Sequence, residues 1–299
     1  MFRPPRHYLY LDAVARAGSI RKAAAKLGVA STALNRKILE IEDELGMPMF
    51  ERLAKGVRLT TAGEVLIDAI RRNLSDIDAA NAQIEQLRGL VRGNVSLAIA
   101  HSVANSLVPT AIAGYQVHHP RVNFQLMVGG TVDLVAALLR DETDLALVHD
   151  PAPTPDLNEI ASIRQPLCAI VRHDHPLAGR SKLRLADCQP YPIALGNRTF
   201  GGRQLIDPVL KRANLSLNVV LESNTVRSLM VYAKQTGAVC FQFQIGTLED
   251  TAAGELVAIP LTDPELTNGR LVLVNRNGRK LSLPAISFAE TLKQHMARV

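Results

Sequence analysis

The chain has 299 residues, 47% of them apolar and 21% charged, with 16 prolines spread along it; this is the composition of a folded globular protein of two or three domains, not of a disordered or fibrous one. No apolar run approaches the roughly 20 residues that span a bilayer, the opening MFRPPRHYLYLDAV lacks the apolar core and cleavage site of a secretory signal, and Cys168, Cys188 and Cys240 stand in no zinc or redox spacing. A cytoplasmic protein with reduced, mostly buried thiols, no metal and no cofactor is expected. The net charge of +6 is concentrated at one end: residues 1–60 carry eleven Lys/Arg against six Asp/Glu, and the rest of the chain 23 against 22. A basic module on a neutral body is what binding to nucleic-acid phosphates requires.

In chain order, a first helix is predicted from about Pro5 to Ala17, with Leu11, Val14 and Ala15 on one face and Gly18 ending it. Ser19 is placed to cap a short second helix, Ile20 to Leu27, which Gly28 stops. A third runs from about Ser31 to Leu45, its Leu34, Ile38, Ile41 and Leu45 forming one buried stripe. Two helices joined by Gly28-Val29-Ala30 form a helix-turn-helix. The segment Met49 to Thr60 alternates around Lys55-Gly56, the pattern of a β-hairpin wing.

Thr61-Ala62-Gly63-Glu64 fits a capping box opening a helix to about Gly89. Its Leu66, Ile70, Leu74, Ile77, Ala80, Ile84 and Leu87 repeat every 3.5 residues or so, which points to a two-helix dimer contact. Arg92-Gly93-Asn94 reads as a hinge. Beyond it, β-rich runs at Val95–Ala100, Val122–Val128, Asp144–Val148, Leu167–Arg172, Leu217–Glu222, Ala238–Phe243 and Arg270–Val274 alternate with helical stretches, predicting an α/β domain with largely parallel sheets.

Ala17-Gly18-Ser19-Ile20, Ala23 to Val29, Ala33 to Ile38, Glu42 to Gly46, Phe50-Glu51-Arg52, Val57 to Thr60 and Ala62-Gly63 together resemble the N-terminal signature of the LysR-type transcriptional regulators, in order and without gaps over some sixty residues. Arg140 to Val148, His175 to Ala178, Leu185-Ala186-Asp187 and Gly254 to Ile259 are similar in order to that family's effector domain. The resemblance implies a winged helix-turn-helix over 1–60, a dimerising linker helix and hinge over 61–92, and a two-lobed α/β effector domain like the periplasmic binding proteins over 93–299. Lobe I is expected at about 93–164 and 263–299, lobe II at about 165–262, with crossings near Arg164 to Pro166 and Pro260 to Glu265. Double-stranded DNA, a small-molecule effector and a homodimer, tetrameric by family habit, are the implied partners.

The N-terminal part of the recognition helix faces base edges, which nominates Ser31, Thr32, Asn35, Arg36 and Lys37, with Asn35 suited to adenine. Arg52, Lys55 and Arg58 on the wing are expected at the DNA backbone or minor groove, with an ion pair from Arg52 to Glu51 or Glu44 as the structural alternative. Where the family commonly has a serine cap followed by glutamine, this chain has Ala30 and Ser31. For the effector, strand-to-helix junctions offer unpaired N–H groups, placing Ser102, Thr131 and Thr225 at the cleft, where the family also has lining residues. The loop Asn197 to Gly202 adds Arg198, Thr199 and Phe200, and His149 reaches the cleft from its strand end. A small carboxylate is the expected effector. No G-x-S-x-G, G-x-G-x-x-G or H-E-x-x-H motif supports an enzyme, and His173 and His175 have no third ligand for a metal. An architectural DNA protein, or a solute-binding module without regulation, stays open as an alternative.

Overall fold

The computed structural model describes residues 2–87, 92–247, 251 and 254–299. They fall into two compact units, Met1–Val91 with Arg279–Leu283, and Arg92–Gly278 with Pro284–Val299.

The first unit holds helices α1 (Arg6–Ala17), α2 (Ile20–Leu27) and α3 (Ser31–Leu45), the hairpin β1 (Phe50–Leu53) and β2 (Gly56–Leu59), and the long α4 (Thr61–Leu87). Gly18, Gly28 and Gly46 each end a helix in the left-handed conformation that side-chain-bearing residues avoid. Leu11, Val14, Ala23, Leu34, Ile38 and Phe50 close one core. α4 begins one residue after its cap. The cap is Thr60, whose Oγ1 accepts from the Gly63 N–H at 3.0 Å, so the cap lies one residue before the expected Thr61, and Gly63 stands where a capping box needs Glu or Gln. Gly63 is required where it stands, because a Cβ there would lie 2.1 Å from the Met49 carbonyl oxygen.

The apolar stripe of α4 is divided between two tasks. Ile67 and Ile70 are buried in the core of this unit, with Leu66 and Leu74 packed against it, so the first half of the stripe is spent on the domain body and not on a partner helix. Farther on, Ala80 and Ile84 are exposed. The Leu87 side chain and the helix end expected at Gly89 lie outside the described residues. Arg71 is buried on α4 and pairs with Asp12 of α1 at 2.7 Å.

The second unit contains two five-stranded sheets. One has the order β4-β3-β5-β12-β6 and the other β11-β7-β10-β8-β9, from β3 (Arg92–Ala100), β4 (Arg121–Gly129), β5 (Leu145–His149), β6 (Leu157–Arg164), β7 (Leu167–Arg172), β8 (Pro192–Gly196), β9 (Asn218–Ser223), β10 (Val239–Phe243), β11 (Leu256–Pro260) and β12 (Arg270–Arg276). Helices α5 (Leu107–His118), α6 (Thr131–Leu139), α7 (Gly201–Ala213), α8 (Val226–Thr236) and the C-terminal Leu283–Met296 accompany them. The chain passes from the first sheet to the second between Arg164 and Leu167, and returns between Pro260 and Arg270. Two crossings of this kind make a two-lobed domain.

The sheets are mixed, which corrects the expectation of largely parallel ones. β3 pairs parallel with β4 and β5, and β8 with β9 and β10, whereas β12 runs antiparallel to β5 and β6, and β7 antiparallel to β10 and β11. The antiparallel pairs arise where the chain returns after a crossing instead of through a βαβ turn. Arg92-Gly93-Asn94, read as a hinge, is instead the start of β3, paired with Arg121-Val122-Asn123.

Candidate functional site

Two surfaces carry polar groups that the fold does not consume. The first is the exposed face of α3 with the wing. Leu34, Ile38 and Ile41 anchor α3, turning Ser31, Thr32 and Arg36 outward, with Asn35 and Lys37 half-buried beside them. Ala30 is the N-cap and makes no side-chain cap bond, so Ser31 is the first helical residue. Glu40 takes both cations of this face, Lys37 at 2.9 Å and Arg36 at 3.7 Å. Their mutual hydrogen bond raises the Lys37 ammonium and lowers the Glu40 carboxyl from their ordinary values.

The wing is seated by the Val57 N–H donating to the Gly18 carbonyl at 2.9 Å. Gly56 allows that approach, since a Cβ there would meet the Gly18 oxygen at 2.3 Å. Arg52 donates to Asn35 Oδ1 at 2.8 Å, and not to Glu51 or Glu44, the structural alternative weighed for it. Glu51 instead pairs with Arg58, directly opposite it on the hairpin, at 2.6 Å. Lys55 is exposed at the turn. The bond from Arg52 occupies one of the two lone pairs of Asn35 Oδ1.

The second surface is the cleft between the lobes. α6 and α7 begin at its walls and α8 at its mouth, following β4, β8 and β9. Their caps, Gly130, Phe200 and Thr225, make no side-chain cap bond; in α6 the Val132 N–H is taken by the Thr199 carbonyl and in α7 the Arg203 N–H by that of Phe200, and the remaining first-turn N–H groups are the ones open to an anion or dipole. The inner chamber is bordered by Ser102, Thr131, His149 and Phe200 of the expected residues, and by His101, Arg203, Val226, Gln242 and Phe243, which sequence reading missed. An outer chamber, which shares His101, Ser102, Val226 and Gln242 with it, adds Asn105, Thr225 and Arg227. Arg198 is exposed and borders neither chamber; the cation on the wall is Arg203, which donates to Asp207 (2.6 Å), Glu222 (3.1 Å) and the Gly196 carbonyl (3.0 Å). Thr199 also borders neither.

The lobes meet across the cleft in a closed arrangement. The His149 ring, from β5, stacks on Phe243, from β10, at 3.6 Å and 7°. His149 Nε2 is 2.6 Å from Ser102 Oγ, and Thr131 Oγ1 donates to the His149 carbonyl at 2.9 Å. The Val132 N–H donates to the Thr199 carbonyl at 3.2 Å, tying α6 to the loop of the other lobe. Burial drives His149 down to about 3, offset in part by the Arg270 carbonyl beside it, so the ring is neutral. Burial raises Asp150, the next residue, to about 6, again with Arg270 acting the other way. Cys168, Cys188 and Cys240 are buried away from both surfaces, and burial lifts the first two thiols to about 11 and about 12. No helix among the described residues is long and apolar enough to cross a membrane.

A basic winged helix-turn-helix and a two-lobed α/β domain with a cavity at converging helix starts define a transcriptional regulator with an effector-binding domain. Residues 5–64 match the model of the bacterial regulatory helix-turn-helix protein, lysR family, and residues 88–297 that of the LysR substrate binding domain. The chain belongs to the LysR family of DNA-binding transcriptional regulators. It is 28% identical over 290 residues to the RuBisCO operon transcriptional regulator of Allochromatium vinosum, covering 96% of this chain and 95% of that one. Among solved structures, full-length CbnR complexed with its target DNA is similar at a TM-score of 0.63 and 18% identity, over 97% of this chain and 99% of that one. The effector binding domain of QuiR in complex with shikimate aligns at a TM-score of 0.60 and 19% identity, over 69% of this chain and 98% of that one.

Proposed function

We propose that this regulator reads an operator with the α3 face and the wing, as a homodimer or homotetramer in the cytoplasm, and that a small polar metabolite bound between the lobes sets its activity without being chemically changed. The observation that carries this reading is the closed cleft, where helix starts without side-chain caps face a cavity lined by Ser102, Thr131 and His149. The start of α8, with Arg227 beside it in the outer chamber, is the place for a carboxylate. QuiR, with shikimate in the same fold, supports a ligand of that size. Calorimetric titration of small carboxylates, paired with operator mobility shifts, tests the reading: at least one carboxylate should bind and change operator affinity, and binding confined to apolar neutral compounds contradicts it.

For DNA contact the proposed residues are Ser31, Thr32, Asn35, Arg36 and Lys37 on α3, and Arg52, Lys55 and Arg58 on the wing. Lys55→Ala should weaken binding to every duplex alike and reduce the slope of log affinity against log salt by about 0.9. Glu51→Gln should act in the opposite sense, because it removes a negative charge from the wing and releases Arg58 from its ion pair. Fluorescence anisotropy on specific and random duplexes across a salt series measures both; an effect of Lys55→Ala limited to one base position would rule out backbone contact.

A further inference from the structure

Two buried side-chain atoms at the closed cleft, His149 Nδ1 and Gln242 Nε2, have no hydrogen-bond partner among the described residues, and the second bears on the ligand. Gln242, on β10, is 5% exposed and borders both chambers. Its Oε1 accepts from the Phe243 N–H at 2.9 Å, but its Nε2 is fully enclosed and has no hydrogen-bond partner among the described residues. Native proteins rarely leave a buried amide donor without an acceptor, and on a residue that borders a ligand cavity such a donor calls for an acceptor atom of the ligand. Ser102 is its neighbour. Both side chains pack against Gly246, where a Cβ would lie 2.9 Å from Ser102 Cβ and 3.0 Å from Gln242 Cδ. Ser102 Oγ is joined to His149 Nε2 at 2.6 Å, and in either imidazole tautomer one oxygen lone pair remains open.

A donor and an open lone pair side by side are met together by one group, an alcohol. Resting on the assignment of this cleft as the effector site, we infer that the inner end of the cleft binds a hydroxyl group of the effector, whose oxygen accepts from Gln242 Nε2 and whose O–H donates to Ser102 Oγ. The ligand class is therefore a hydroxylated small molecule that enters hydroxyl first and leaves any carboxylate in the outer chamber at the start of α8. Where the Ser102 O–H donates to His149 Nε2, a carboxylate at the inner end would satisfy Gln242 but set its lone pairs against those of Ser102. The cation of the inner wall, Arg203, is already engaged by Asp207 and Glu222 and supplies no net positive charge there. Phe200, Val226, Phe241 and Phe243 provide an apolar wall for the carbon skeleton.

Two ring-matched probes, trans-cyclohexane-1,2-diol and cyclohexanecarboxylate, test this on the full-length protein by saturation-transfer NMR titration. The diol should bind at least tenfold more tightly than the carboxylate. Gln242→Glu keeps the size of the side chain and the acceptor for Phe243 while deleting the N–H donors, and should weaken the diol at least fivefold; Ser102→Ala should do the same. If Gln242→Glu fails to fold, Ser102→Ala alone carries the comparison. The inference is overturned if the carboxylate binds as well as the diol, if the variants leave the diol unaffected, or if the diol does not bind. In each of those cases a metabolite response of operator binding that persists leaves the effector assignment standing, whereas loss of that response removes both.

Discussion

Gly201→Ala should abolish the response of operator binding to effector while leaving effector-free DNA affinity within about twofold of wild type. Gly201 opens α7 in one lobe and faces β5 of the other. A Cβ at this position would lie 2.6 Å from the His149 carbonyl oxygen, 2.7 Å from His149 Cβ and 3.0 Å from Thr131 Oγ1. Two of those atoms belong to a strand fully buried in the opposite sheet, which cannot yield as the end of a flexible side chain does. The methyl group is therefore accommodated by parting the lobes. Parting them breaks the His149–Phe243 stack and the Val132–Thr199 hydrogen bond, which join the two lobes. A ligand can shift a two-state equilibrium only by its preference for one state, so a variant barred from closure has nothing for the effector to select. The backbone of Gly201 needs no positive φ, and the substitution should not unfold the lobe that carries it. Gly130→Ala approaches the same seam from the other lobe, its Cβ lying 2.2 Å from Thr199 Oγ1 and 2.7 Å from the Thr199 carbonyl carbon, and should behave alike. Small-angle scattering with and without effector, alongside mobility shifts, makes the check. A variant that still closes and still responds would show that the seam relaxes around the methyl group.

The DNA-reading module was legible in the residues because its signals are local. Gly18, Gly28 and Gly46 punctuate the helices, and the Leu34/Ile38/Ile41 spacing orients α3. Small displacements came from chemistry with two solutions within one residue: Thr60 and Thr61 can both cap α4, and the chain uses the one whose hydroxyl also reaches the Pro48 carbonyl at 2.8 Å. The long stripe of α4 misled for a different reason. A period of about 3.5 residues reports a buried face but does not say what buries it, and here the first half is covered by the chain's own core. Strand direction in the second unit was likewise invisible, since β7 and β12 look no different in composition from their parallel neighbours; the crossings decide it. Within the cleft, strand-to-helix junctions located Ser102, Thr131 and Thr225 because helix starts obey a general rule. Arg203 and Gln242 obey no such rule. One is the third residue of a helix and the other lies in an apolar strand, Val239-Cys240-Phe241-Gln242-Phe243, where only the register of β10 against β7 and the fold of the cleft bring it to the cavity.

His149→Gln should reverse part of the acid sensitivity of the second unit. Buried and neutral, His149 refuses a proton until about pH 3, whereas the unfolded chain takes one up near the ordinary value of 6.5. As pH falls below 6.5 the unfolded state binds the extra proton and stability is lost. The slope approaches about 1.4 kcal/mol per pH unit, or roughly 2 kcal/mol by pH 5. Asp150 works in the opposite direction. Its native value near 6 lies above the ordinary 3.8, so between those limits the folded state holds the extra proton and gains stability on acidification. In the wild type the two neighbours largely cancel from pH 6 down to about 4, leaving a loss in the interval just above 6 and a second one between about 4 and 3. Removing the imidazole leaves the Asp150 contribution alone. His149→Gln gives up the ring stack on Phe243 and should be less stable at pH 7.5 by about 1–3 kcal/mol. That deficit should shrink steadily on acidification and be reduced by about 2 kcal/mol at pH 5. The chain has no tryptophan, so unfolding is best followed by calorimetry or circular dichroism between pH 7.5 and 5. Parallel stability profiles for wild type and variant across that range would mean that His149 titrates in the folded protein much as it does in the unfolded chain, and that the cleft is wet enough to hydrate an imidazolium. The same result would weaken the case for a ligand selected by neutral donors and acceptors, because a charged ring beside Ser102 would favour an anion at the inner end of the cleft.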